Sequence, residues 1–570
     1  MSSLLLGGLL AVWLLFGYRF YGGWIARRLI QPDDDRPTPA HSQRDGVDFH
    51  PAKTPVLFGH HFSSIAGAGP IIGPLMGVLY FGWLATVIWI AVGSVFIGAV
   101  HDYVALMAST RHQGRSVGQI AETHLGRRAR IILSLFLWLA LVLVIAVFGV
   151  VTAQTLTSQP PIVIPTFGLI LLAMLFGRVV LRRGLPLLPA TLLGLAALAG
   201  LIALGEKFPI ALGATVWGLP AVQFWFWILM LYCLAASILP VWLLLQPRDY
   251  LSTWILYLGL ASGLAGVLLV RPTVASPAWL GFQAPGQGPV WPMLFVLIAC
   301  GAVSGFHSLV AGGTTSKQLS RETDGRRVGY GAMILEAGLA GLVVLIAAGA
   351  LRWDPSASAA GGGLQYLMGE GGGPIVAFAT GFSRLVDALP GVSPAAGLFF
   401  GMLMLNAFVI TTLDTATRLG RFILQELGGD LPLIGNRIGA TGVTVLAAAW
   451  LGASDSYTAI WPVFGATNQL VAALALIVVS SWLVGLGKPR VATLAPALFM
   501  LATSIGALAY QGVGFWKDGK QTLAWISIVL MVMAGFLAWE ARGLLFSRRP
   551  GPARKSAGSA ALPDSLRHGP

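Results

Sequence analysis

Residues 60–74 read HHFSSIAGAGPIIGP. Beyond Phe62 the stretch is small or apolar enough for a membrane, yet it carries Gly67, Gly69, Pro70, Gly73 and Pro74. Those are the residues most damaging to a helix interior. In hydrocarbon an interrupted helix persists only where protein or a water-filled cavity pairs the freed backbone groups. Transporters use such breaks: N–H groups at the start of one half-helix attract an anionic group, while carbonyls at the end of the other hold a cation. The other reading is a kinked helix whose glycines permit close packing. The adjacent His60, His61, Ser63 and Ser64 favour a site.

The rest of the chain sets the context. Its 570 residues are 56% hydrophobic and only 10% charged, with a mean hydropathy of +0.78. A water-soluble domain carries about 25% charged residues. Apolar runs of about 20 residues recur and fit helices crossing a core about 30 Å thick. The alternating segments of an outer-membrane barrel are missing. The pattern is that of an all-α polytopic membrane protein in contact with the lipid bilayer. The net charge of +14 lies in short loops and the C-terminal tail, as topology determinants do, and points to no nucleic acid. Cys233 and Cys300 both fall inside apolar runs and read as packing residues. The run Leu4 to Phe16 lacks a basic leader and a small-residue cleavage site, and reads as a retained span.

About fifteen spans follow, near residues 4–20, 62–81, 84–108, 131–153, 161–180, 186–204, 222–245, 251–271, 291–313, 329–351, 393–416, 438–453, 457–484, 492–511 and 522–544. The segment 373–390 reads as a re-entrant or surface helix. Basic loops follow only odd-numbered spans: Arg27 and Arg28, Arg111 to Arg130, Arg178 to Arg183, Arg248, Lys317 to Arg327, Arg418 to Arg437, and Lys488 with Arg490. The positive-inside rule then predicts an outside N-terminus and a cytoplasmic C-terminus. The expected organisation is a first span and loop over 1–61, a core over 62–416, further spans over 417–544, and a basic, disordered-looking tail over 545–570.

Polar groups inside spans are functional candidates by default. Pro240 predicts a second break, in the seventh span. The ninth holds Ser304, His307, Thr314, Thr315 and Ser316, followed by Lys317; hydroxyls there suit a cation and the histidine a proton relay. Asp102, beside His101, and Glu336 lie within spans. Asp414 sits four residues before Arg418, the spacing of a local ion pair. Asn406, Asn468 and Gln469 add amides, while Arg111, Arg421 and Glu426 read as solvated loop charges and His60 as a loop-edge residue.

Seven blocks in a fixed order carry a resemblance. They are GHHFSSIAGAGPIIGP (59–74), AVHDYVALMASTRHQGRSVGQIA (99–121), LPVWLLLQPRDYL (239–251), CGAVSGFHSLVAGGTTSKQL (300–319), ETDGRRVGYGAMILE (322–336), TTLDTATRLGRFILQEL (411–427) and IWPVFGATNQLVAALAL (460–476). Together they resemble the carbon starvation protein A (CstA) family of peptide and pyruvate transporters. Gly312 departs from the small polar residue expected there. The resemblance implies a bacterial inner membrane as the location and five-plus-five inverted repeats of the LeuT type. The first core helix would be the second span, the sixth the seventh span with Pro240, and the eighth the ninth span, with Thr314, Thr315 and Ser316 near a coupling ion and Lys317 as a fixed cation in its place.

The function that follows is secondary import of short peptides or pyruvate, coupled to protons or sodium, with protons favoured. His61, Ser63, Ser64, Gly67, Ala68, Gly69, Ser304 and His307 are the candidate substrate groups. His101, Asp102, Thr314, Thr315, Ser316, Lys317, Glu336 and Asp414 are the candidate coupling groups. No GxxxxGK[ST] phosphate loop is present, so no nucleotide cofactor is expected. A nutrient sensor and a membrane metalloenzyme using His60, His61, His101 and His307 are the alternatives; the chain lacks the HExxH signature of the latter.

Overall fold

The computed structural model describes residues 2–46, 48–182, 185–353, 363–369, 372–429, 431–454 and 457–546. Most of the expected tail therefore lies outside the described residues. Among these residues nineteen helical segments have eight residues or more: α1 (Ser3–Ile30), α2 (Thr54–Ile65), α3 (Gly69–Phe81), α4 (Trp83–Arg111), α5 (Val117–Leu125), α6 (Arg127–Ser158), α7 (Pro160–Val180), α8 (Leu187–Lys207), α9 (Ala221–Ile238), α10 (Leu245–Val270), α11 (Val290–Leu297), α12 (Gly305–Gly313), α13 (Glu322–Ala350), α14 (Gly373–Val386), α15 (Pro394–Gly428), α16 (Arg437–Ser454), α17 (Tyr457–Gly485), α18 (Val491–Lys517) and α19 (Gln521–Phe546). Among the described residues the strands form only two small antiparallel hairpins, Thr215–Val216 with Leu219–Pro220 and Gln283–Ala284 with Gly288–Pro289. The first turns through Trp217 and Gly218, both at positive φ, as a two-residue hairpin requires.

Each of the fifteen expected stretches holds a helix or a pair of helices. Among the described residues twelve helices are long and apolar enough to span a membrane by themselves, and the pair α2–α3, bent by 44°, makes thirteen. The other two stretches depart from the single-helix pattern. The ninth is two short helices, α11 and α12, separated by Ile298–Ser304, and the twelfth is the short α16. The segment 373–390 contains the short α14, which packs between α10 and α15.

The expected break at Pro240 is corrected. α9 simply ends at Ile238, because Pro240 lacks the N–H that would continue it. Leu239–Leu244 form a turn, and Gln246 to Tyr250 open α10 rather than trailing the seventh span. The second true break therefore belongs to the ninth stretch. It faces the first, since α2 packs on α12 and α3 on α11.

The loops sort into two ends. At one end Arg111 Nη2 donates to Gln31 O (2.9 Å), and its guanidinium pairs with Glu322 at 2.8 Å. At the same end His50 N donates to Lys317 O, and Arg418 pairs with Asp48 at 3.3 Å. At the other end Ser3 N donates to Pro272 O, Trp83 N to Pro277 O, and Ala275 N to Ala348 O. The basic loops after the first, third, ninth and eleventh stretches thus interlock at a single end.

Candidate functional site

The break between α2 and α3 follows from its glycines. Gly67 N donates to Ile65 O at 2.9 Å, turning the chain through a tight loop before Ala68 starts the next helix. A Cβ on Gly67 would stand 2.7 Å from the Phe148 ring and 2.9 Å from Thr412 Oγ1. On Gly69 it would stand 2.3 Å from Cys300 Sγ, and on Gly73 2.7 Å from Leu297 O. Gly73 thus lets α3 meet the backbone of the second broken stretch, Gly69 makes room for Cys300 beside it, and Gly67 makes room for Phe148 and Thr412 from two other helices.

The freed backbone groups are met by neighbours. Thr412 Oγ1 donates to Ser64 O at 3.0 Å. At the second break Ser304 occupies the N-cap position of α12 without capping it. Asn468 from α17 does so instead: its Oδ1 accepts from Phe306 N (2.9 Å), and its Nδ2 donates to Ser304 Oγ (3.0 Å). Both breaks are thereby held by side chains from helices outside the pair.

Two buried ionic clusters flank the breaks. In the first, Asp102 takes His101 Nδ1 on one oxygen and His307 Nδ1 on the other, each at 2.8 Å. His307 Nε2 lies 3.3 Å from Glu336 Oε2 without hydrogen-bond alignment, and neither Glu336 oxygen has another partner. All four side chains are fully buried, on α4, α12 and α13. Two carboxylates and two imidazoles in one dry cluster reach neutrality only by binding protons, and isolated charge there is expensive.

The second cluster is centred on Arg248. Its Nη2 reaches Asp249 Oδ1 (2.7 Å) and Asp414 Oδ1 (3.1 Å), while Nη1 donates to Tyr232 OH (2.6 Å) and contacts Asp414 Oδ2. Tyr232 OH donates to Asp414 Oδ2 at 2.5 Å. Asp249 Oδ2 also lies 2.7 Å from His60 Nδ1 and accepts from Ser64 Oγ at 3.3 Å. His60 Nε2 lies 3.2 Å from Thr314 Oγ1, which links this cluster to the end of α12.

The expected site residues divide accordingly. His101, Asp102, His307 and Glu336 come together; Ser64, Thr314 and Asp414 join the Arg248 cluster. His61 Nδ1 meets Thr315 Oγ1 at 2.8 Å, leaving its Nε2 buried and unpartnered. Ser63 Oγ reaches Thr411 Oγ1 only at 3.5 Å. Ser316 Oγ accepts from Ser109 Oγ (2.9 Å), and Gly312 supplies its carbonyl to Ser316 Oγ. Lys317 stands away from the breaks, its Nζ 4.3 Å from the Phe422 ring centre.

Several expectations are corrected. Asp414 does not pair with Arg418, whose guanidinium instead reaches Asp48 and the carbonyls of Ala236 and Leu239. His60 is fully buried rather than at a loop edge, because α2 begins eight residues before Phe62 would have started the span. Arg248 is no loop charge. Arg421 is buried, Glu426 accepts from Ser116 Oγ at 2.6 Å, and Arg111 is paired with Glu322. The sequence does not single out Arg248, Asp249, Tyr232 and Thr412 as site residues; the signal it carries is the adjacent Arg-Asp pair directly after Pro247, which also fits a topology-setting loop charge. Among the described residues no three His, Cys, Asp or Glu side chains are arranged to hold a metal.

The family model for carbon starvation protein CstA matches residues 2–359 and 359–507. The chain belongs to the CstA family. Among its CstA relatives, the peptide transporter CstA of Campylobacter jejuni is 34% identical over 91% of this chain and 81% of its own. That of Bacillus subtilis is 32% identical over 92% and 94%. The pyruvate/proton symporter BtsT of Escherichia coli is 31% identical over 87% and 80%. A solved manganese transporter of Eremococcus coleocola aligns over 88% of this chain and 99% of its own, at a TM-score of 0.49 and 13% identity. This CstA-family chain is thus a multi-span helical membrane transporter and not an enzyme.

Proposed function

We propose that the chain imports a short peptide or pyruvate together with a proton, through a site at the facing breaks α2–α3 and α11–α12. The named activities of its relatives supply the substrate classes. Both classes carry a carboxylate, which suits the N–H groups at the start of α3 and the hydroxyls of Ser63, Ser64 and Ser304. The core is taken as 62–416, the end with the basic loops as cytoplasmic, and the N-terminus as outside.

One observation carries the proton assignment: His307, on the broken stretch itself, lies between Asp102 and Glu336. Imidazole titrates near pH 6.5 unperturbed and shuttles protons readily. Here its two nitrogens face carboxylates on two different helices. A proton moved among them changes which helix α12 is bound to, and that couples charge to rocking of the bundle. The Arg248 cluster, through His60 and Thr314, holds the C-terminal end of α12.

Uptake into proteoliposomes tests the reading. An inward proton gradient is expected to drive accumulation of pyruvate or a dipeptide at constant sodium. Accumulation driven by sodium at constant pH would overturn the proton assignment, and no uptake under either gradient would overturn the transport reading for these substrates.

A further inference from the structure

A cavity of about 940 Å³, with no lining residue from either break itself, lies between α1, the N-terminal part of α2, α10 and α13. Its walls are apolar, with Leu10, Leu14, Phe58, Leu260, Ile334 and Leu342 among them. Gly331 and Gly338 of α13 face it, and a Cβ on Gly338 would meet nothing within 4 Å. Leu15 and Leu264 on its rim are 65% and 50% exposed, so it opens sideways towards hydrocarbon. From Gly331 to Leu345 the groove follows α13 for about 21 Å, more than the roughly 15 Å depth of one leaflet's hydrocarbon.

One end of the groove is not apolar. Thr54 and Arg327 line both it and an adjoining pocket of about 490 Å³ that includes Lys53, Arg321 and Asp324. Three cations there face one carboxylate, and Asp324 is already engaged by Thr54 Oγ1 (3.0 Å) and Arg327 Nη1 (3.5 Å). The Arg327 side chain is 69% exposed. An apolar slot open to lipid and ending in an excess of positive charge matches an amphiphile with an anionic head.

We propose that this groove is a binding site for an anionic phospholipid. Its acyl chains lie along Gly331, Gly338 and Leu342, and its phosphate is held by Lys53, Arg321 and Arg327. Charge-assisted donors suit a phosphate diester, and each basic residue near the surface contributes about 1 kcal/mol towards anionic lipid. A zwitterionic lipid adds an ammonium that these same cations repel. Away from Tyr18 and the Thr54–Arg327 end, the walls offer the charged groups of a peptide or pyruvate no partner.

Native mass spectrometry of the full-length protein in mild detergent tests this, with phosphatidylglycerol, phosphatidylcholine and glycerol phosphate as separate probes. One phosphatidylglycerol is expected to stay bound under activation that strips phosphatidylcholine. Gly338→Trp, which fills the slot, is expected to remove it. The paired Arg321→Glu and Arg327→Glu exchange, on the exposed rim, is expected to weaken it roughly tenfold or more. Thermal melting identifies any variant that fails to fold, and the rim exchange keeps the test decisive if Gly338→Trp does. Equal retention of both lipids, or phosphatidylglycerol retention unchanged in the folded variants, would overturn the site. Equal binding of glycerol phosphate would make it a phosphate site without a lipid, and a dimer dissociated by Gly338→Trp would make it an interface between copies.

Discussion

Asp414 and Arg418 stand one helical turn apart on α15, and each turns to a different partner. The Arg248 guanidinium offers five donors in a fixed fork, enough to join Asp249, Asp414 and Tyr232 at once. Arg248→Met is expected to leave two buried carboxylates uncompensated and to cost about 3–5 kcal/mol. A melting scan with an uptake assay would read this as a lowered transition and lost transport. Arg248→Lys is expected to rescue neither, because one ammonium cannot bridge three oxygen partners in that plane. If Arg248→Lys restored both, the fork geometry would be irrelevant. Glu336→Gln, by contrast, keeps shape and removes a proton site. It is expected to abolish proton-driven accumulation while substrate exchange across the vesicle continues. Unimpaired accumulation would place the proton elsewhere.

At the scale of elements, the broken helices are stabilised by what crosses them. Gly69→Ala drives a Cβ into Cys300, and overpacking of this kind costs about 1–3 kcal/mol. Adding Cys300→Gly, which removes both clashing side-chain atoms, is expected to restore stability and transport. A single Gly69→Ala variant with wild-type melting and uptake would show that the breaks do not need such close approach. Asn468→Leu removes the acceptor for Phe306 N–H and the partners of Ser304. It is expected to destabilise by about 1–3 kcal/mol, since the N–H is left buried and unpaired.

At the scale of the whole molecule, α5 at the basic end bridges distant parts of the chain by packing on α6 and α17. Its His124 ring sits 5.5 Å from that of His112, which in turn stacks edge-on against Trp482. Burial, with the His112 charge second, lowers the His124 pKa to about 4. The folded state therefore holds a neutral ring where the unfolded chain, at about 6.5, is protonated. Stability is fully present above pH 6.5 and falls as pH drops towards 4. Melting temperatures measured across that window are expected to decline in the wild type and to decline less in His124→Gln. Parallel curves for the two would remove His124 as the cause.

Composition and periodicity by themselves determined that the chain is a helical membrane protein. Backbone polar groups have no water partner in hydrocarbon, so apolar runs of that length have one spanning solution. The order of seven blocks determined the family, and GAGP marked the first break, because glycine and proline act locally on the backbone. Tertiary structure alone decided the rest. The second break fell in the ninth stretch rather than at Pro240, since its unwinding is sustained by Asn468, 162 residues beyond Phe306. Arg248, Asp249, Asp414 and His60 became one cluster for a similar reason. A buried charge takes whichever partner the packing brings within about 3 Å, and sequence spacing cannot specify that when the partners sit on separate helices.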